Sequence, residues 1–125
     1  MSLDVYLTGE TRDVPCRCAC CDHEHTRKET EVFYNANITH NLSAMAKEAG
    51  IYKHLWHPEE VRITKAAQLV EPLRAGLARM KSDPPHFAKH NAENGWGLYE
   101  NFVPWVESYL DACEENPTAN VSVST

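Results

Sequence analysis

Several things are scarce in this chain of 125 residues. Basic residues number 12 against 18 acidic ones, so the formal charge is −6 and a duplex nucleic-acid binder is not expected. From Leu98 to the end there is no Lys or Arg at all, while Glu100, Glu107, Asp111, Glu114 and Glu115 make one acidic helix face. No apolar run approaches the length of a membrane span, and Met1-Ser2-Leu3-Asp4-Val5 does not begin a secretion signal. The expectation is a soluble, cytoplasmic protein, in a compartment that keeps thiols reduced. No nucleophile elbow, phosphate loop or dinucleotide fingerprint occurs. No internal repeat and no long linker divides the chain, so residues 1–125 are expected to form one domain.

What the chain does have is a cluster. Cys16 to His25 reads Cys-Arg-Cys-Ala-Cys-Cys-Asp-His-Glu-His, holding four of the five cysteines and two of the seven histidines. Thiolate and imidazole together suit zinc. Two ligand sets are possible. If residues 14–18 and 23–27 are strands joined by a turn at Ala19-Cys20-Cys21-Asp22, pairing Cys18 with His23 also pairs Cys16 with His25. Alternate residues of a strand share a face, so all four would lie together. In the other set, Cys18 and Cys21 form a Cys-x-x-Cys knuckle completed by His23, His25 or a distant residue. Both sets contain Cys18. A disulfide framework fits less well, because the cysteine count is odd. The segment 11–34 is otherwise rich in charge and poor in apolar residues, so a structural zinc would supply stability that its side chains do not.

Around this cluster the pattern predicts an α+β fold: a small antiparallel sheet with a metal-clipped β-hairpin, packed against about four helices. Leu3, Val5 and Leu7 alternate with polar residues, as a half-buried strand does, and Gly9-Glu10 looks like a turn. A strand to Tyr34 follows. Ile38, Leu42, Met45, Ala46 and Ala49 then mark one face of a helix, capped by Asn37 or Thr39 and ended by Gly50. Pro58 begins a further helical turn. Thr64 to Met80 carries an apolar stripe with Pro72 inside it, which predicts a kink or two abutting helices. A last helix follows, placed to begin near Asn101 because of Pro104. Ala119, Val121 and Val123 alternate as a closing strand whose natural partner is the opening one.

Two further segments are candidates for ligand binding. Asn37, His40 and Asn41 would gather at the start of the first helix, with more polar groups than a cap needs. Asn94-Gly95-Trp96-Gly97-Leu98-Tyr99-Glu100 sets Trp96 and Tyr99 in a loop with glycines beside the tryptophan, suited to an aromatic wall. One pocket formed by both segments would take a small polar ligand. In an enzyme there, His40 would be the general acid or base and Glu100 its partner. His86 and His90, four apart, read more simply as exposed histidines.

Residues 36–42 (Ala-Asn-Ile-Thr-His-Asn-Leu), Gly50-Ile51-Tyr52, Leu55-Trp56, Pro58-Glu59-Glu60 and the Asn94–Glu100 segment together resemble a group of small bacteriophage and bacterial proteins. The resemblance covers most of the chain. It implies a phage or bacterial setting, with a host protein as possible partner and the host cytoplasm as location, and it brings no catalytic residues. The cysteine cluster resembles a zinc-ribbon knuckle, but has Asp22 where a glycine usually follows the second cysteine, and lacks the second knuckle.

Overall fold

The computed structural model describes residues 2–17, 24–91 and 98–125, with the backbone alone along the strands between residues 10 and 29. Among the described residues the fold is α+β, with three strands in the order β2-β1-β3, all antiparallel. They are β1 (Ser2–Arg17), β2 (Glu24–Thr39) and β3 (Asn120–Ser124). The helices are α1 (Ser43–Glu48), α2 (Tyr52–Trp56), α3 (Ala67–Ser82), α4 (Pro84–Ala88) and α5 (Tyr99–Glu115). Tight 3₁₀ turns at His40–Leu42 and Pro58–Val61 precede α1 and follow α2.

The sheet is built on the alternation in β1. Leu3, Val5 and Leu7 are fully buried, and their register partners Ile38, Ala36 and Tyr34 on one side and Val123 and Val121 on the other continue the same apolar face. Closing strand and opening strand pair as the pattern predicts, from Asp4 opposite Ser124 to Thr8 opposite Asn120. Gly9-Glu10 is not a turn. β1 runs straight through it, and the register with β2 shifts between Leu7 and Thr11 instead. A side chain at Gly9 would come within 3.0 Å of Glu31 Oε2 and Phe33 Cζ, so glycine serves close strand approach at a bulge, not reversal.

β2 also runs five residues past Tyr34, to Thr39. Ile38 is therefore a buried strand residue and not the first of the helical stripe. The remaining stripe residues Leu42, Met45, Ala46 and Ala49 are buried as expected. α1 ends in a Schellman arrangement: Ile51 N–H donates to Ala46 O at 3.0 Å and Gly50 N–H to Lys47 O at 3.1 Å, with Gly50 at φ 77°. Ile51 then packs on α3, where a side chain on Gly76 would meet its Cγ2 at 2.5 Å.

Neither proline breaks its helix. Pro72 is the sixth residue of α3 and Pro104 the sixth of α5, and both helices are continuous through them. The first turn leaves its N–H groups unpaired in any case, so a proline this early removes only one or two ladder bonds. Side-chain acceptors secure both starts. Gln68 Oε1 accepts from Thr64 N at 2.7 Å and Lys65 N at 3.0 Å, and Asn91 Oδ1 accepts from Tyr99 N at 2.7 Å. The core joins α3, through Leu69, Leu73, Leu77 and Met80, to α5, through Phe102, Val106, Tyr109 and Cys113. The acidic face of α5 is partly paired: Glu114 meets Arg74 at 2.7 Å and Glu107 meets Lys81 at 2.6 Å.

Tyr109 is fully buried, stacks on Tyr34 at 5.8 Å, and leaves its hydroxyl without a partner. Burying an unpaired hydroxyl costs stability that a phenyl ring would not. Tyr109→Phe should therefore be neutral or stabilising by up to about 1 kcal/mol in urea titrations. A loss larger than about 1 kcal/mol would mean that the hydroxyl has a partner.

Candidate functional site

The first candidate centre lies along the β1–β2 ribbon. β3 pairs with β1 only from Asp4 to Thr8. Beyond that, Thr11–Arg17 and Glu24–Thr30 pair with each other alone among the described residues. The register sets Cys16 opposite His25 and Arg17 opposite Glu24. This is the alignment that the Cys16–Cys18–His23–His25 ligand set requires. Cys18, Cys21 and His23 lie outside the described residues. Cys113 is not part of this centre: it is buried in α5, and burial, with Glu114 beside it, pushes its thiol up to about 12. It is a neutral core residue.

The second centre is built around His40, where β2 meets the helices. Thr39 caps the turn, its hydroxyl accepting from Asn41 N at 3.3 Å, which sets His40 as the first residue of the 3₁₀ turn. Trp56, 2% exposed at the end of α2, donates its indole N–H to His40 Nδ1 at 3.1 Å. A ring nitrogen that accepts carries no hydrogen, so in the neutral imidazole the hydrogen sits on Nε2. His40 Nε2 is buried and has no partner. It is an unspent donor. From Trp56 the arrangement continues outward: Tyr52 stacks on Trp56 at 5.5 Å, and Tyr52 Oη lies 3.3 Å from His57 Nε2. His57 Nδ1 in turn lies 3.6 Å from both Glu59 Oε1 and Glu60 Oε2. His57, Glu59 and Glu60 each offer one atom that could ligate a metal, and these atoms sit within 4.8 Å of one another on the turn after α2.

The other sequence candidates are placed as follows. Asn37 is in β2, not in the helix start. Its side chain donates to Ser2 Oγ at 2.9 Å and Asp4 Oδ1 at 2.8 Å, and its carbonyl accepts from Trp105 Nε1 at 3.0 Å. A residue so employed holds the sheet together. Because Asn37 belongs to a strand, it does not gather with His40 and Asn41 around one helical turn. Tyr99 donates its hydroxyl to Met80 O at 2.9 Å, tying α5 to α3, and Glu100 is exposed in the first turn of α5. Among the described residues, no hydrogen bond or ring contact joins His40 to Tyr99 or Glu100. Trp96 lies outside the described residues. Two surface hollows, one between α3 and α5 and one beside Gly9 and Phe33, include none of these candidates. His86 is half-buried and meets Glu48 at 3.2 Å.

The residues that sequence reasoning missed are Trp56, Tyr52 and His57. Their only signal was aromatic spacing within Tyr52 to His57, which reads equally as ordinary packing. His54, in the same helix, is held below its ordinary value by burial, opposed by the Gly50 carbonyl. A histidine whose folded form resists protonation contributes stability that is present above its unfolded value, about 6.5, and is lost as pH falls through the lower folded one. Stability measured at pH 7.5 and 5.5 should therefore fall less in His54→Gln than in the natural chain. An equal fall in both would refute this.

Comparison with protein-family models, with curated proteins and with solved structures finds no match to this chain. Among the described residues no helix is long and apolar enough to cross a membrane.

Proposed function

We propose that this protein is a small zinc-stabilised binding module, in which the metal is structural and closes the far end of the β1–β2 ribbon. The observation that carries the reading is the register of Cys16 opposite His25, at the end of a two-stranded ribbon that no third strand covers among the described residues. Two strands alone are marginal in water. A closed Cys and His centre turns metal binding energy into folding energy where side-chain burial is scarce. Cys18 and His23 complete the set in this scheme, and Cys18 with Cys21 in the knuckle scheme.

The ligand side of the reading rests on His40. Its Nε2–H is a buried donor without a partner, which suits a carboxylate or carbonyl of a small polar ligand or a host protein that reaches it by displacing the side chains over it. The resemblance of residues 36–42 and their neighbours to small phage and bacterial proteins supports the host protein as the class of partner.

The alternative is an enzyme using His40 as acid or base. Its buried, unpartnered Nε2 favours that reading, but the bonding of the ring opposes it. Nε2 already holds a hydrogen, and the lone pair that would take a proton is engaged by Trp56. A base that must first give up a hydrogen bond is a poor one. Glu100 does not contact the ring to offset this.

Metal analysis and zinc-edge X-ray absorption on protein purified under reducing, chelator-free conditions test the proposal. About one zinc per chain with four sulfur and nitrogen ligands is expected. No metal would overturn the reading. Zinc with a bound water in its fourth position would favour the enzyme.

A further inference from the structure

We propose that His57, Glu59 and Glu60 bind a divalent transition ion of the zinc class, at a site separate from the cysteine ribbon and with one coordination position open. The proposal does not depend on a metal in the ribbon.

The backbone that carries the three side chains is pinned at several points. Pro58, buried, opens the 3₁₀ turn. His57 N–H donates to Lys53 O at 2.8 Å, Glu60 N–H to His57 O at 3.0 Å and Ile63 N–H to Pro58 O at 2.9 Å. The imidazole is held from another element. Tyr52 Oη, in α2, lies 3.3 Å from His57 Nε2, and the two rings meet edge-on at 5.5 Å. Tyr52 is itself fixed by its stacking on the buried Trp56. A ligating histidine ordinarily has its other ring nitrogen hydrogen-bonded in this way, which sets the tautomer and the ring plane. With the hydrogen on Nε2 and shared with Tyr52, Nδ1 presents a lone pair to the two carboxylates.

The distances fit a shared ion better than direct bonds. His57 Nδ1 stands 3.6 Å from Glu59 Oε1 and 3.6 Å from Glu60 Oε2, beyond hydrogen-bond range. Ligand atoms around a tetrahedral zinc stand about 3.3–3.6 Å apart, given its bond lengths to nitrogen and oxygen. The two carboxylate oxygens lie within 4.8 Å of each other, and both side chains are at least half exposed, so a small rotation closes that edge. Charge agrees. Among the described residues neither glutamate pairs with Lys or Arg, whereas Glu71, Glu107 and Glu114 each do. Two carboxylates and a neutral imidazole balance a divalent ion. Calcium and magnesium prefer six or more ligands that are all oxygen. One imidazole with two carboxylates favours zinc and its neighbours among the transition metals. Three protein ligands leave a fourth position for water or for a carboxylate of a second molecule.

The experiment titrates cobalt(II), a zinc mimic with a visible spectrum, into the reduced full chain. Cobalt held by thiolates gives a strong near-ultraviolet charge-transfer band, whereas cobalt at His57 gives visible bands without it, so the two centres are read apart. The natural chain should take up one thiolate-free cobalt, and the imidazole NMR signals of His57 should move with it. His57→Ala should abolish that uptake and leave any thiolate band unchanged. The isosteric pair Glu59→Gln with Glu60→Gln should abolish it too, which keeps the test open if His57→Ala disturbs the turn. Tyr52→Phe, which removes only the support of the ring, should weaken binding about tenfold. Glu71→Gln, on α3, should bind as the natural chain does. Far-UV circular dichroism should be the same with and without this cobalt, since the ion is not holding the fold. No thiolate-free cobalt in the natural chain, or uptake that persists in His57→Ala or in the double glutamine variant, would overturn the proposal.

Discussion

Phe102→Ala should be the most damaging truncation of the core, costing about 3–5 kcal/mol and lowering the melting temperature by roughly 10–20 °C. Phe102 is fully buried in α5, with its ring stacked on Trp105 at 6.4 Å. The cost has two parts. The ring's transfer free energy is lost, and a cavity remains that its surroundings fill poorly. Collapse is hard here because the neighbours are committed. Trp105 is anchored by its indole N–H to Asn37 O, and Tyr99, one turn earlier, to Met80 O. Glu115→Ala, at an exposed site on the same helix, should change stability by no more than about 0.5 kcal/mol. Thermal melts of both variants check this, and similar melting temperatures would mean that α5 does not organise the core.

If the proposed zinc centre is present, removing the metal is the second large effect, and it should be local. Apparent binding energies of about 10–16 kcal/mol for small structural zinc sites far exceed what a two-stranded ribbon gains by itself. After chelation, amides of Thr11–Arg17 and Glu24–Thr30 should lose protection from hydrogen exchange, since these segments pair only with each other among the described residues. Amides of Val5 and Leu7 should keep it, because β1 there is flanked by strands on both sides and its side chains lie in the core. Substitution sorts the ligand sets. Cys18→Ser should lower stability more than Cys20→Ser, since Cys18 belongs to both schemes. Cys16→Ser matters in the paired-strand scheme and Cys21→Ser in the knuckle. Equal melting temperatures for Cys18→Ser and Cys20→Ser would count against either site. Cys113→Ser is a poor neutral control, because it puts a hydroxyl into the core where a thiol now packs.

The elements were legible in the sequence wherever a period repeated. The alternation of Leu3, Val5 and Leu7 against Ala119, Val121 and Val123 determined two strands and which faces they bury. The spacing of Leu69, Leu73, Leu77 and Met80, and of Phe102, Val106, Tyr109 and Cys113, determined the two long helices and their buried sides. Gly50 determined where α1 stops, since a left-handed residue at that point favours glycine. These are local preferences, written in consecutive residues.

Tertiary structure decided what depends on partners distant in the chain. Gly9-Glu10 reads as a turn by itself, but β2 pairs on both sides of it and draws β1 through as one strand. Asn37 reads as a helix cap, but Ser2, Asp4 and Trp105 hold it in β2. Pro72 and Pro104 read as breaks, but each is early in its helix, and the side chains of Gln68, in the first turn of α3, and Asn91, ahead of α5, secure the starts. The pairing of His40 with Trp56 spans 16 residues and a change from strand to helix. No period relates two such positions. Only packing brings an indole donor onto one ring nitrogen and leaves the other buried with its hydrogen unused.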